Sequence, residues 1–518
     1  MYKTKIIAYV NAAKKAEAIV TTYESLRGSV DSLEVLRLLP LDISMNLISL
    51  NRIINTDPYN HNMAMIKGED WNVPETYVMS CRKSPWGRLI FSGADFILQK
   101  LFRSPITEGE VQLAKETALT QNQFFPEAMW RMVLDKYNGR IPIDIYMPPL
   151  GTVLLPHEPV FRVEGPGELA AHFEPALIPI FYPMLVATHF YQLNDHASSM
   201  FFLQSLRSSV NPLMDIMINH AALPAGHDWA SNNAAAALFE DIWSSGTVAH
   251  RLMSFLMSKY AALGSLDPEL DAYRHIAKAM PKPMFLVDLV DTIRCGVPKA
   301  IQAIKESMIA GKAEDFHCIR LDSGDMKELT IATLKILQEN GLNHVRLAIS
   351  ESVEVKMKHE IINLVKEAGF DPSRVGFGAG GAVAWKNKTR DDASAVYKEV
   401  EAGNQAVLKL SNAIGKMSLA GKPEIYRNYE AKNGIQSITG QVGECLPGYY
   451  PIMIKAVHQG HYQYSETNSD QAVKERVKDQ WESLTQQKIE KSTKTRFLAW
   501  SFVSLHAPHL LREFEKNY

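Results

Sequence analysis

Phe316-His317-Cys318-Ile319-Arg320-Leu321-Asp322-Ser323-Gly324-Asp325 is the stretch whose reading decides the fold. Phe316, Cys318, Ile319 and Leu321 form an apolar run that stops at an acidic, glycine-containing turn, the pattern of a buried strand ending in a tight loop. Residues 326–340 follow with Leu329, Ile331, Leu334 and Leu337 at helical spacing, so the unit is strand, loop, helix. Proteins of the α/β class place their chemistry at the carboxyl ends of strands, where Arg320, Asp322 and Asp325 fall. Two carboxylates there suit sugar hydroxyls, a ring nitrogen or hydrated Mg²⁺, and an arginine suits a phosphate or a flat ring. The same residues also read as a capped turn, with Asp325 as helix N-cap and Asp322 satisfying loop amides.

Outward from this unit, residues 283–288, 345–350 and 375–378 read as further short apolar strands, each ending in a polar or glycine position. Helical patterns at 293–310 and 352–369 separate them. Repeated units of this length indicate a parallel sheet, open or closed as a barrel. Its loops would gather Asp288, Asp291, Arg320, Asp322, Asp325, Ser350, Gly378, Gly380 and Gly381 at one mouth, which points to an enzyme. Towards the amino terminus, residues 1–45 read as helical and 88–140 as amphipathic helices, while 141–166 carries short strands closed by Gly and Pro.

Composition narrows the class. With 518 residues the chain has room for two or three domains, and 46% apolar with 22% charged residues is ordinary for a globular protein. A net charge of −2 gives no global field towards nucleic acid or a membrane surface, so neither is expected as a partner. The four cysteines are scattered without metal-ligand spacing, as for free thiols in a reducing compartment. Met1-Tyr2-Lys3-Thr4-Lys5 does not open a signal peptide, and no uninterrupted apolar run reaches membrane-spanning length. A cytoplasmic location is the expectation.

Three further motifs carry chemistry. Gly376-Phe377-Gly378-Ala379-Gly380-Gly381 lies between strand and helix patterns, where glycines let backbone amides approach a phosphate, although its spacing is not that of a dinucleotide fingerprint. Ser245-Gly246-Thr247-Val248-Ala249-His250-Arg251 places His250 after a turn, as a structural histidine or as a proton carrier or phosphate acceptor. Thr56-Asp57-Pro58-Tyr59 reads as a turn before a helix and equally as a ligand edge.

In this order the motifs resemble the nicotinate and nicotinamide phosphoribosyltransferases, the type II phosphoribosyltransferase family. The resemblance runs from about Asn51 to Arg427. It includes Gly151-Thr152-Val153, His157-Glu158-Pro159, Arg162 to Pro166, Ala230-Ser231-Asn232, Val287 to Thr292, Lys409-Leu410-Ser411-Asn412 with Gly415-Lys416, and Tyr426-Arg427. It implies an irregular α/β barrel domain with a second, β-rich α+β domain formed mainly by the N-terminal part. The expected divisions are an extension at 1–45, an α+β domain at 46–172, the barrel at 173–440, and a helical tail at 441–518 packing on the body.

The resemblance further implies NAD salvage: a pyridine nitrogen attacks C1 of phosphoribosyl pyrophosphate, with Mg²⁺ on the pyrophosphate and ATP as a coupled co-substrate. Asp322 would serve the ribose and ring nitrogen with Asp288 or Asp291 assisting, Arg320 the ring or a phosphate, and Ser350, Gly378, Gly380 and Gly381 the 5′-phosphate. His250 matches the histidine that the family phosphorylates, and Asp325 belongs to the same acidic loop. Asp57, Tyr59 and Arg390 resemble residues that a second subunit supplies, which implies a homodimer with shared sites.

The family's Phe-Gly-x-Arg-Arg element is absent in recognisable form. Phe202 and Arg207 lie at about the right distance, with residues 215–220 an alternative position for the strand, and a silent homologue is the reading this gap motivates. Nicotinamide enzymes place an aspartate where Asn232 falls, so Asn232 favours nicotinate, as do Lys409-Leu410-Ser411 and Tyr426-Arg427. Gly380-Gly381 with Thr389-Arg390-Asp391 leans instead to nicotinamide. Nicotinate is the expected ring.

Overall fold

The computed structural model describes residues 2–194, 200–311, 317–350, 353–410, 417–465 and 470–517. Phe316, Ser411-Asn412 and Gly415-Lys416, all used in the sequence reading, lie outside the described residues. The chain forms two compact units, one from 1–182 with 390–518 and one from 183–389.

The second unit holds the parallel sheet that the sequence pattern predicts. Its strands are β1 (Phe201–Leu203), β2 (Trp229–Ala230), β3 (Trp243–Ser244), β4 (Met284–Leu286), β5 (Cys318–Leu321), β6 (Arg346–Ile349) and β7 (Val375–Ala379). They pair in parallel in the order β3-β2-β1-β7-β6-β5-β4, a curled half-barrel. The helices are α1 (Pro212–Ala222), α2 (Asn233–Leu238), α3 (His250–Ala262), α4 (Pro268–Ala279), α5 (Val297–Ile309), α6 (Met326–Glu339), α7 (Val355–Glu367) and α8 (Gly381–Trp385). Register aligns Leu286, Arg320, Ala348 and Gly376 across four strands. Met284, Cys318 and Ala348 form a small buried cluster. Because side chains alternate along a strand, Arg320 shares the face of Cys318 and stands one step nearer the strand's carboxyl end. Residues 215–220, the alternative strand, belong to α1.

The first unit is built on an antiparallel sheet. Pro74–Cys81 lies between Ala395–Ala402 and Pro159–Pro166. The strand at 395–402, expected with the barrel, therefore belongs to the sheet of the other unit, and the structure divides the chain differently from the sequence boundaries. Period-two alternation looks alike in either sheet, so local pattern could not choose the partner. The tail expected to be helical has Thr493–His506 against Leu408, Met417 and Phe514, and also contributes strands Ile454–His458, Tyr450–Pro451 and Glu490–Lys491. The segment Glu174–Leu193 is long and apolar enough to cross a membrane, yet 72% of it is buried within the protein, as for a core helix.

Buried charge pairs organise the first unit. Arg52 and Glu110 are both buried, joined at 2.7 Å, and Arg52 also donates to the carbonyls of Leu101, Ser104 and Pro105. Glu110 closes the capping box with Thr107, so one carboxylate holds a helix start and the arginine together. Arg427 makes a bidentate pair with Glu158 at 3.0 and 2.9 Å, both residues 1% exposed. The motif residues Glu158 and Arg427 thus have a structural partner in each other. Truncating one partner would leave a buried charge uncompensated.

Around Arg52 the packing also buries His172, whose Nε2 lies 3.3 Å from the Arg52 carbonyl oxygen and whose ring meets Trp130 at 4.9 Å. Burial pushes its pKa from 6.5 down to about 3. On acidification the unfolded chain takes up a proton there that the folded chain refuses, so stability falls as pH drops from 6.5 towards about 3. The replacement His172→Phe is expected to flatten this loss by up to about 1.4 kcal/mol per pH unit. Urea unfolding at about pH 5 and about pH 6 checks it, and an unchanged slope would assign the acid sensitivity elsewhere.

Candidate active site

The polar cluster of the second unit forms where β4, β5 and α3 end or begin. His250 is the first residue of α3, and its Nε2 lies 2.9 Å from Asp288 Oδ1, just past β4. Its Nδ1 lies 3.9 Å from Asp322 Oδ2, just past β5. The Asp288 side chain is 2% exposed and Asp322 22%, so the first is a buried anchor and the second is open to a ligand. Ser323 Oγ donates to the other Asp288 oxygen. Arg320 donates to Thr247 Oγ1 and to Asp322 Oδ1, and more weakly to the Val248 carbonyl at 3.3 Å. Its buried Nε has no hydrogen-bond partner. Three of the predicted residues, His250, Asp288 and Asp322, thus bring ligand atoms within 4.8 Å of one another.

Beside this cluster lies a cavity of about 330 Å³. Phe202, Gln204, Arg207, Ser231, Thr247, Arg320, Ser350, Phe377 and Gly378 are among its lining residues. Arg207 and Arg320 are its two arginines, and no carboxylate lines it among the described residues. Phe202 and Arg207, whose role the sequence left between two alternatives, both line it. Phe202 and Phe377 supply flat apolar faces to a planar ring, and the arginines supply positive charge.

The other predicted residues divide. Ser350 and Gly378 line the cavity. A Cβ on Gly380 would lie 2.2 Å from the Gln204 carbonyl oxygen, so this glycine is required by the close approach of the 204–208 segment; Gly381 opens α8, which has only five residues. Asn232 is buried behind the cavity as the N-cap of α2, accepting from Ala234 N at 2.8 Å and donating to Asp215. Asp325 caps α6 by accepting from Lys327 N and Glu328 N, at the exposed surface, and is not brought to the His250 cluster. Asp291 is likewise spent as a cap, accepting from Arg294 N at 2.7 Å. The capping alternative therefore describes Asp325 but not Asp322.

Asp57, Tyr59 and Arg390 belong to the first unit. Asp57 stands at the N-cap position of Pro58–Lys67 without a side-chain cap bond, and Tyr59 donates to Glu174 at 2.6 Å. Burial, then the Glu174 bond, holds the Tyr59 hydroxyl protonated well above its usual range, while Arg390 pulls the other way. This unit also has a cavity of about 450 Å³ lined by Arg82, His157, Lys398, Lys488 and Lys491, with no carboxylate in its lining among the described residues. Burial pushes Lys491 down to about 8 and, together with the Arg82 and Lys491 charges, His157 to about 4. Among these, Arg82 and Lys398 were missed in the sequence. Their signal was a cation at the end of, or inside, an otherwise alternating strand, which reads by default as a solvated face.

The model of the nicotinate phosphoribosyltransferase family matches residues 231–433, and that of the nicotinamide phosphoribosyltransferase N-terminal domain matches 51–145. The chain is similar to this family over both matched stretches. A nicotinamide phosphoribosyltransferase from Xanthomonas campestris is 26% identical over 375 residues, 65% of this chain and 78% of the relative. A nicotinate phosphoribosyltransferase from Bacillus subtilis is 26% identical over 389 residues, 73% and 74% of the two chains. Human nicotinic acid phosphoribosyltransferase shares the fold at a TM-score of 0.61 and 17% identity, over 86% of this chain and 99% of that one.

As to metal, the oxygens of Asp288 and Asp322 suit a hard cation such as Mg²⁺, whereas His250 already faces both carboxylates through its two nitrogens. Asp322, the more exposed of the two, fits Mg²⁺ carried in with a phosphate ligand.

Arg320→Lys cannot span Thr247 and Asp322 with a planar fork, and is expected to weaken binding of inorganic phosphate or pyrophosphate about tenfold. Titration calorimetry checks this, and undiminished binding would remove Arg320 from the anion site.

Proposed function

We propose that the protein is a nicotinate phosphoribosyltransferase of NAD salvage, joining nicotinate to phosphoribosyl pyrophosphate to give nicotinate mononucleotide and pyrophosphate. The observation that carries the choice of ring is the cavity with two arginines and no lining carboxylate, which suits an anionic pyridine. Phe202 or Phe377 stacks the ring, and the arginines neutralise its carboxylate. The ring nitrogen forms the new bond to C1 as the C1–pyrophosphate bond breaks, and no proton need move. Asp322, with Asp288 behind it through His250, stabilises the positive charge that develops on the ribose. Asp322 would hold Mg²⁺ brought in with the pyrophosphate, and that ion would supply charge neutralisation to the leaving group.

The proposal includes ATP as a coupled co-substrate, with His250 accepting its γ-phosphoryl group on Nδ1, the nitrogen not engaged with Asp288. A homodimer is also proposed, in which the Asp57–Tyr59–Arg390 face of one copy, with Arg82 and Lys398, completes the mouth of the other. The abundance of cations there suits pyrophosphate. A cytoplasmic location belongs to the same reading, which the four free cysteines support.

Nicotinamide is the second reading. The nicotinamide-type N-terminal match at 51–145 and the Xanthomonas relative favour it.

The test is synthesis of mononucleotide from nicotinate or nicotinamide, each with and without ATP. Nicotinate is expected to react faster, and Asp322→Asn to lose about a hundredfold or more in kcat. Faster nicotinamide would make the second reading the correct one, and no product from either ring would leave a silent homologue. Mixing Tyr59→Ala with Asp322→Asn protein should regenerate activity that neither has alone, because a heterodimer holds one intact site. No regeneration after subunit exchange would overturn shared sites.

A further inference from the structure

Asp215 is fully buried in the first turn of α1, and no lysine or arginine pairs with it among the described residues. A carboxylate so placed must be satisfied by neutral donors. Its Oδ2 accepts from Asn232 Nδ2 and from Asn219 Nδ2 at 3.2 Å, and its Oδ1 lies 3.3 Å from Ser209 Oγ, whose single proton it shares with the Ser205 carbonyl at 3.0 Å. The positive end of α1 favours the charge. Asn219 is held in turn, donating to the Asp215 carbonyl at 2.8 Å and accepting from His227 Nε2 at 2.8 Å.

Two of these donors sit on segments that line the cavity. Ser209 closes the segment carrying Gln204 and Arg207, and Asn232 adjoins Ser231. Elsewhere Gln204 N bonds to the Ala379 carbonyl and Ser231 N to the Leu203 carbonyl at the bases of the segments, and Trp385 Nε1 donates to the Ser208 carbonyl of the first. The Asp215 carboxylate is the side-chain tie between them.

We propose that Asp215 is a positioning residue for ligand binding, locking the Arg207-bearing segment to the Ser231–Asn232 turn. The assignment rests on the reading of the cavity as the pyridine site. Asn232 then acts through its amide, which must be a donor because its partner is a carboxylate. The pair is reversible in chemistry: an asparagine at 215 and an aspartate at 232 restore a donor–acceptor bond, and an aspartate caps α2 as well as asparagine does.

Full-length Asp215→Ala, Asn232→Asp and the double replacement Asp215→Asn/Asn232→Asp provide the test, with KM for nicotinate, kcat and melting temperature measured on each. Asn232→Asp sets two carboxylates against each other, and Asp215→Ala leaves the amide unpaired. Each is expected to raise KM about tenfold or more with a smaller change in kcat, and the double replacement to return KM to within about threefold of wild type. A double replacement as impaired as Asn232→Asp, or a lowered melting temperature with KM unchanged in Asp215→Ala, would overturn the assignment. If the unaltered protein makes no nucleotide from either ring, the functional reading has failed. Crystal structures of the two single variants then judge the tie separately: displacement of Arg207 or Ser231 supports it, and an unmoved cavity overturns it.

Discussion

A guanidinium at the mouth of a parallel sheet has to be compensated where it stands, and Arg320 meets that constraint with Thr247 on one side and Asp322 on the other. Arginine stays charged at any relevant pH, so its two partners are fixed in direction and near in space. Asp322, held by one oxygen, turns the other towards His250. The imidazole takes its orientation from Asp288, which Ser323 holds. Removing the fork would leave the carboxylates facing each other across the histidine with less to separate them. The site is thus a chain of paired charges begun by the strand.

The parallel sheet supplies what side chains alone cannot. Cys318 precedes Arg320 on the same strand face and Ala348 pairs with it in register, both in one buried cluster with Met284, and among the described residues the buried Arg320 Nε has no hydrogen-bond partner. Gly378, one step beyond Phe377, leaves room for the Gln204 side chain, whose nitrogen would lie 2.9 Å from a Cβ there. Glycine in this loop answers a packing demand from within the protein, and an anion can use the same space only where Ser350 and Gly378 face the cavity.

Much of this was readable in the chain, for physical reasons that differ by element. The strand–loop–helix unit around Arg320 is local, so apolar spacing and an acidic turn were enough to place it and Asp322, as the end of the neighbouring 283–288 strand placed Asp288. Ala395–Ala402 was not placeable in that way: its partner Pro74–Cys81 is remote in sequence, and alternation says that a strand exists without saying where it pairs. Arg82 and Lys398 escaped because a single cation on a strand is usually solvated. Asp215 escaped because an aspartate in a first helical turn is ordinary, and only its burial among three donors distinguishes it.

Four aspartates make the general point, since the sequence gives them the same chemistry and hydrogen bonding separates them. Asp325 is spent on two backbone amides and holds a helix in place. Asp215 is spent on two amides and a hydroxyl and has no oxygen left for a ligand. Asp288 divides its oxygens between His250 and Ser323, so it acts through the histidine. Asp322 bonds Arg320 through one oxygen and keeps the other 3.9 Å from a histidine nitrogen, within the cluster rather than at the open surface where Asp325 lies. A carboxylate that is oriented, charged and only partly satisfied is the one able to respond to positive charge appearing on a ligand, and that singles out Asp322.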